Sequence, residues 1–152
     1  MYQKEGMDIF SDEFFMGKAL ELAHQAYERD EVPIGAIIVY ENRIIGKGFN
    51  QVEMLKDVTS HAEMISITAA CNSFGGKYLT DCTIYVTVEP CTMCAGAIEL
   101  ARPMKLVYGA SEPKTGCFSK GGKLSPKIEV SDGVLFGESV ALMQQFFAGK
   151  RG

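Results

Sequence analysis

Apolar residues first recur at helical spacing behind Ser11-Asp12-Glu13, a polar start signal: Phe15, Ala19, Leu22, Ala23 and Ala26 carry the period through Tyr27. Val32-Pro33 then leads into Gly35 to Tyr40. A polar Glu41-Asn42-Arg43 turn separates that run from Ile44 to Phe49, which reads as a hairpin. After a polar stretch, a second helix is predicted from about Ser60 to Asn72. Met64, Ile65, Ile67, Thr68 and Cys71 mark its apolar side, and Gly75-Gly76 ends it. Thr83 to Val88 is β-branched and apolar enough for a central strand. Pro90 fits the first turn of a helix continuing from Cys91 to Leu100. Lys105 to Tyr108 and Ile128 to Val130 read as two further strands, separated by a glycine- and lysine-rich surface loop, Ser111 to Lys127. A closing helix over about Ser139 to Phe147 presents Val140, Met143, Phe146 and Phe147 to the core.

The order α-β-β-α-β-α-β-β-α implies an α/β fold of three layers, α/β/α, with a five-stranded mixed sheet and helices on both faces. No internal repeat or linker interrupts it. With 152 residues, 47% of them hydrophobic, residues 1–152 read as one domain with a well-buried core.

Composition narrows the setting. The N-terminus lacks a basic region followed by an apolar run, and the longest mostly apolar stretch, Val32 to Tyr40, is far too short to span a bilayer. The expectation is a soluble cytoplasmic protein without a membrane partner. Net charge is −4, which argues against a general polyanion binder. The charge is uneven, however: nine basic residues face fifteen acidic ones through residue 110, and six face four from 111 onward. Lys114, Lys120, Lys123, Lys127, Lys150 and Arg151 make the C-terminal part the basic end, a solvated face unless a polyanion uses it.

Five cysteines in a chain with no export signal suggest metal or redox chemistry before disulfides. Cys71, Cys82 and Cys117 stand alone and read as small buried hydrophobes, while Cys91 and Cys94 form a C-x-x-C pair. His61 opens one helix and the cysteine pair opens another, so both helix starts can meet at one sheet edge. One imidazole and two thiolates suit Zn²⁺ and leave a fourth tetrahedral position open, as in a catalytic site. The positive helix ends make the thiolates easier to keep. Glu63, two residues after His61, can face such a site without ligating and serve as general acid and base. Each part has a plainer use. Ser60-His61-Ala62-Glu63 also reads as a capping box, Cys91-x-x-Cys94 alone could be a redox pair, and His24 suits core or surface.

"HAE" at 61 to 63 followed by "EPCTMCAGAI" at 89 to 98 resembles the cytidine deaminase-like superfamily, whose zinc base deaminases carry H-x-E with P-C-x-x-C. Within it the chain is most similar to the bacterial tRNA adenosine deaminases. "EVPIGAIIV", "GFN", "HAEM", "TIYVTVEPCTMCAGAI", "LVYGA", "KTG" and the terminal "FF" occur in that family's order over nearly the whole chain. The resemblance implies hydrolytic deamination of the wobble adenosine in a tRNA anticodon stem-loop, one Zn²⁺ per chain and a homodimer, with no DNA partner. It implies His61, Cys91 and Cys94 as zinc ligands and Glu63 as proton shuttle. Asn50, the Asn of "GFN", would hydrogen-bond the target base; otherwise it is a turn residue leaving the second strand. Glu112 aligns with a family aspartate that contacts the nucleotide backbone or sugar, and Ser111 stands where the family often has arginine. Two rival functions share these features: a deaminase of free guanine, cytosine or cytidine, and a non-catalytic RNA-binding subunit with structural zinc.

Overall fold

The computed structural model describes residues 10–151; residues 1–9 and 152, part of the expected 1–152 domain, lie outside the described ones. Helix α1 (Asp12–Glu28) begins where Ser11 accepts a hydrogen bond from the Phe14 N–H, an N-cap with Asp12 and Glu13 in the first turn. The strands are β1 (Gly35–Tyr40), β2 (Arg43–Phe49), β3 (Thr83–Val88), β4 (Lys105–Ala110) and β5 (Glu129–Ser131). The remaining helices are α2 (Val52–Leu55), α3 (Ala62–Phe74), α4 (Thr92–Ala101) and α5 (Phe136–Arg151).

The sheet runs β2-β1-β3-β4-β5, with the first two pairings antiparallel and the last two parallel, the mixed five-stranded sheet expected. β1 and β3 read as near-continuous apolar runs because both of their faces are covered. Ile37, Val39, Tyr85 and Val107 pack against Phe15, Met16 and Ala19 of α1, and Leu142 of α5 joins Leu20 and Ala23 on that side. Ile38, Ile84, Val86 and Leu106 face the other layer, with Ala62 and Ala70 of α3 and Ile98 of α4. Among the described residues no helix is long and apolar enough to cross a membrane.

Several expectations are corrected. α3 does not start with a capping box. Its N-cap is His61, whose side chain makes no capping bond, and the Ser60 hydroxyl donates to Asp57 Oδ2 at 2.9 Å. Its buried face is Ala62, Glu63, Ser66 and Ala70, while Met64, Ile65, Ile67 and Cys71 are only half-buried and Thr68 is exposed. Small residues win that face because α3 lies almost on the backbone of β2: a Cβ on Gly46 would come 2.5 Å from the Ser66 carbonyl oxygen, and one on Gly48 2.7 Å from that of Ala62. Pro90 stands ahead of the α4 N-cap, Cys91, rather than within the first turn. The stretch after β2 contains the short α2. The last helix outruns 139–147, burying Leu142 and Phe146 and leaving Phe147 exposed. The 111–127 loop is not wholly surface, since Gly116 and Cys117 are buried beneath it. Cys82 and Cys117 are buried and Cys71 half-buried, and His24 is exposed.

Seating α3 on two glycines makes a prediction. Gly48→Ala is expected to lower unfolding free energy by about 1–3 kcal/mol through overpacking against backbone. Gly17→Ala on α1, where a Cβ meets nothing within 4 Å, should gain about 0.5–1 kcal/mol. Urea unfolding of both variants checks the contrast.

Candidate active site

β2 and β3 point the same way across the antiparallel β1, so their carboxyl ends share one edge of the sheet, joined there by that of β4. α3 and α4 therefore begin side by side. Their N-caps, His61 and Cys91, both have extended backbone (φ −78°, ψ 155° and φ −75°, ψ 175°), and neither side chain makes a capping hydrogen bond. They turn toward each other instead: His61 Nδ1 lies 3.6 Å from Cys91 Sγ and 3.4 Å from Cys94 Sγ. All three candidate ligand atoms lie within 4.8 Å of one another.

The donor set fits zinc. Bond lengths of about 2.0–2.1 Å to nitrogen and about 2.3 Å to sulfur at tetrahedral angles put nitrogen and sulfur ligands about 3.5 Å apart. Two softer thiolates and one imidazole, with three positions filled, match an open site rather than a closed structural one. Hydrogen bonds from Cys94 and then from the His61 ring pull the Cys91 thiol down to about 3. Cys94 is pushed up by its bond to Cys91 and by burial.

Glu63 is the second residue of α3, buried and outside the ligand triad, and burial pushes its carboxyl up to about 7. It lines a cleft of about 910 Å³ together with Asn50, His61, Cys91 and Glu112. Asn50 is both a turn residue and a cleft residue. Its Oδ1 accepts the Ala62 N–H at 3.0 Å, which ties the end of β2 to the start of α3. What remains to offer a ligand is its NH₂, a donor. Glu112 stands at the rim, where its Oε2 accepts the Lys114 N–H at 3.0 Å. Met143, Phe146, Phe147 and Lys150 of α5 also line it.

A family model described as the cytidine and deoxycytidylate deaminase zinc-binding region matches residues 10–110. The tRNA-specific adenosine deaminase of Agrobacterium fabrum (strain C58 / ATCC 33970) is 43% identical over 143 residues, covering 90% of this chain and 94% of that one. The chain belongs to the tRNA-specific adenosine deaminases, within that zinc-binding deaminase family. A solved structure from work on A-to-I editing by tRNA:A34 deaminases at the wobble position of transfer RNA is similar, with a TM-score of 0.77 and 43% identity. It covers 84% of this chain and 97% of that one. The guanine deaminase of Bacillus subtilis is also similar, with a TM-score of 0.63 and 40% identity over 65% of this chain and 64% of its own.

Reading the sequence for chemistry missed two cleft residues of this deaminase, Glu31 and Glu89, 1% and 4% exposed. The available signal was a charged residue abutting an apolar strand: Glu89 follows Thr83–Val88 directly, and Glu31 precedes Val32-Pro33. Burial pushes the Glu89 carboxyl up, but hydrogen bonds from the Glu112 N–H and from the Ser119 hydroxyl and N–H outweigh it and hold the group below the usual carboxylate range. A depressed folded value contributes stability above the unfolded carboxylate value of about 4.3 and loses it as pH falls through the lower folded value. Glu89→Gln should therefore be less stable than the parent at neutral pH, with the gap closing as pH falls through the acid range. Thermal unfolding of both proteins across that range checks this, and a gap independent of pH would contradict it.

Proposed function

We propose that the protein is a zinc-dependent hydrolase that converts adenosine to inosine at the wobble position of a tRNA anticodon. His61, Cys91 and Cys94 are the metal ligands. The observation that carries this reading is a buried carboxyl raised to about 7, Glu63, beside a three-ligand N/S set in one cleft. The substrate class is supported by the kinship with tRNA-specific adenosine deaminases.

When bound, the zinc ion supplies the Lewis acidity that lets water ionise near neutral pH. Glu63 accepts a proton from the attacking water and passes it to the purine ring nitrogen beside C6 as the new C–O bond forms. The resulting tetrahedral carbon bears both oxygen and amine. Glu63 next moves the second proton to the amine, the C–N bond breaks, and ammonia leaves inosine behind. A carboxyl titrating near the working pH can take both roles. Asn50 donates to the purine edge through its NH₂, with its oxygen already held by Ala62. An unpaired loop base is splayed out at low cost and can enter the cleft. Lys114 and Lys150 at the cleft favour the RNA backbone, and Glu112 contributes a polar contact there.

The working state is a homodimer in the cytoplasm. α4 buries Cys94, Ala95, Ile98 and Ala101, yet its outer side is also apolar, with Leu100 76% exposed and Met93 and Gly96 on the same surface. An apolar stripe left exposed on a helix calls for a cover, and a second copy is the cover consistent with the family. Leu100→Glu should shift the protein to monomer in sedimentation; an unchanged dimer would place the interface elsewhere.

Glu63→Ala should keep one zinc per chain and the fold while losing at least about 10²-fold in turnover. Near-parental turnover would remove Glu63 from the mechanism. Ammonia release and inosine formation on an anticodon stem-loop with a wobble adenosine test the substrate, with free guanine, cytosine and cytidine in parallel. Turnover of free guanine alone would favour the reading suggested by the Bacillus subtilis relative.

A further inference from the structure

Two glutamates of the cleft wall are as buried as its core, yet neither has a cationic partner among the described residues. Their charge is met by N–H and O–H donors alone. Glu31 Oε1 accepts the Glu53 N–H at 3.0 Å and its Oε2 the Met54 N–H at 2.7 Å. Glu89 Oε1 accepts the Glu112 N–H at 2.9 Å and the Ser119 hydroxyl at 2.7 Å, while its Oε2 accepts the Ser119 N–H at 2.7 Å.

Each carboxylate thus holds one irregular stretch of wall. The segment from Asn50 to Ala62 is pinched shut at its base by the Asn50–Ala62 bond and by Gln51 N–H to the Ser60 carbonyl at 3.0 Å. Glu31 is what ties its tip, α2, back toward the α1–β1 connection. The segment 112–119 carries Glu112 and Lys114, and it lies so close on Glu89 that a Cβ on Gly116 would collide with the carboxylate. Neither segment has a sheet pairing to set its shape beyond the single bridge between Cys91 and Gly116.

We propose that Glu31 and Glu89 are paired positioning residues that hold these two wall segments in the shape that receives a nucleotide within an RNA loop, without entering the chemistry. The proposal rests on the RNA reading above. Glutamine keeps the size of each side chain but turns an NH₂ onto one of its donors, so one bond is lost and one donor is opposed.

The test uses zinc-loaded, full-length Glu31→Gln and Glu89→Gln. Hydrogen exchange should speed up at Glu53 and Met54 in the first and at Glu112 and Ser119 in the second by at least about tenfold more than any change at α1 and β1, which follow global stability. KM for the stem-loop should rise by about tenfold, while kcat falls less than about threefold. Unchanged exchange at these amides, acceleration there no larger than over the rest of the chain, or a fall in kcat as large as the rise in KM would overturn the proposal. The exchange experiment needs no substrate. Local deprotection in a protein that turns over only free bases would support the bracing and overturn the RNA assignment alone.

Discussion

The seating of α3 on the sheet is the constraint from which the site follows. Gly46 and Gly48 leave bare backbone of β2 against the helix, and the helix answers with Ala62, Ser66 and Ala70. At that distance the first turn of α3 comes within reach of the residue that follows β2, and Asn50 closes the gap by accepting the Ala62 N–H. The helix N-terminus is thereby capped from outside. His61, in the N-cap position that usually goes to a serine, threonine or aspartate folded onto its own helix, is released to face Cys91 and Cys94. Helix packing, capping and metal geometry are one arrangement.

Three buried glutamates then take different parts from the same chemistry. Glu31 and Glu89 each accept two backbone N–H groups, and at Glu89 these donors and the Ser119 hydroxyl outweigh burial and hold the carboxyl below its ordinary range. At Glu63 burial dominates over the bonds from its own N–H and from Cys94, raising it to about 7. A carboxylate held low by fixed donors, as Glu89 is, keeps its charge near neutrality, whereas one raised by burial exchanges protons there readily. The environment, not the residue type, separates wall braces from the group suited to proton transfer.

Much of the architecture was legible in the chain. The strands of the hairpin and β3 were evident because runs such as GAIIVY and TIYVTV, buried on both faces, admit little but apolar and β-branched residues. The H-x-E and C-x-x-C spacings identified the candidate ligands because donor type and local spacing are sequence properties. The apolar side of α3 was misjudged because hydrophobicity is a poor guide where a helix lies against bare backbone: the tightest contact selects for size, and Ser66 outranks Ile65 there. The capping box failed for a related reason. S-x-x-E describes a helix that caps itself, and α3 is capped by a residue from another element.

By itself, the sequence determined the strands and the long helices, their order, the layer architecture and the set of residues able to bind zinc and move a proton, since these depend on local periodicity and side-chain chemistry. Only the tertiary structure decided that Asn50 serves the helix before any ligand, that Glu31 and Glu89 belong to the cleft, and that Glu63 titrates near 7 while Glu89 stays low. Those outcomes depend on which backbone donors surround a buried carboxylate. The donors come from residues 22 to 30 positions away in the chain for Glu31 and Glu89, beyond the reach of any local pattern.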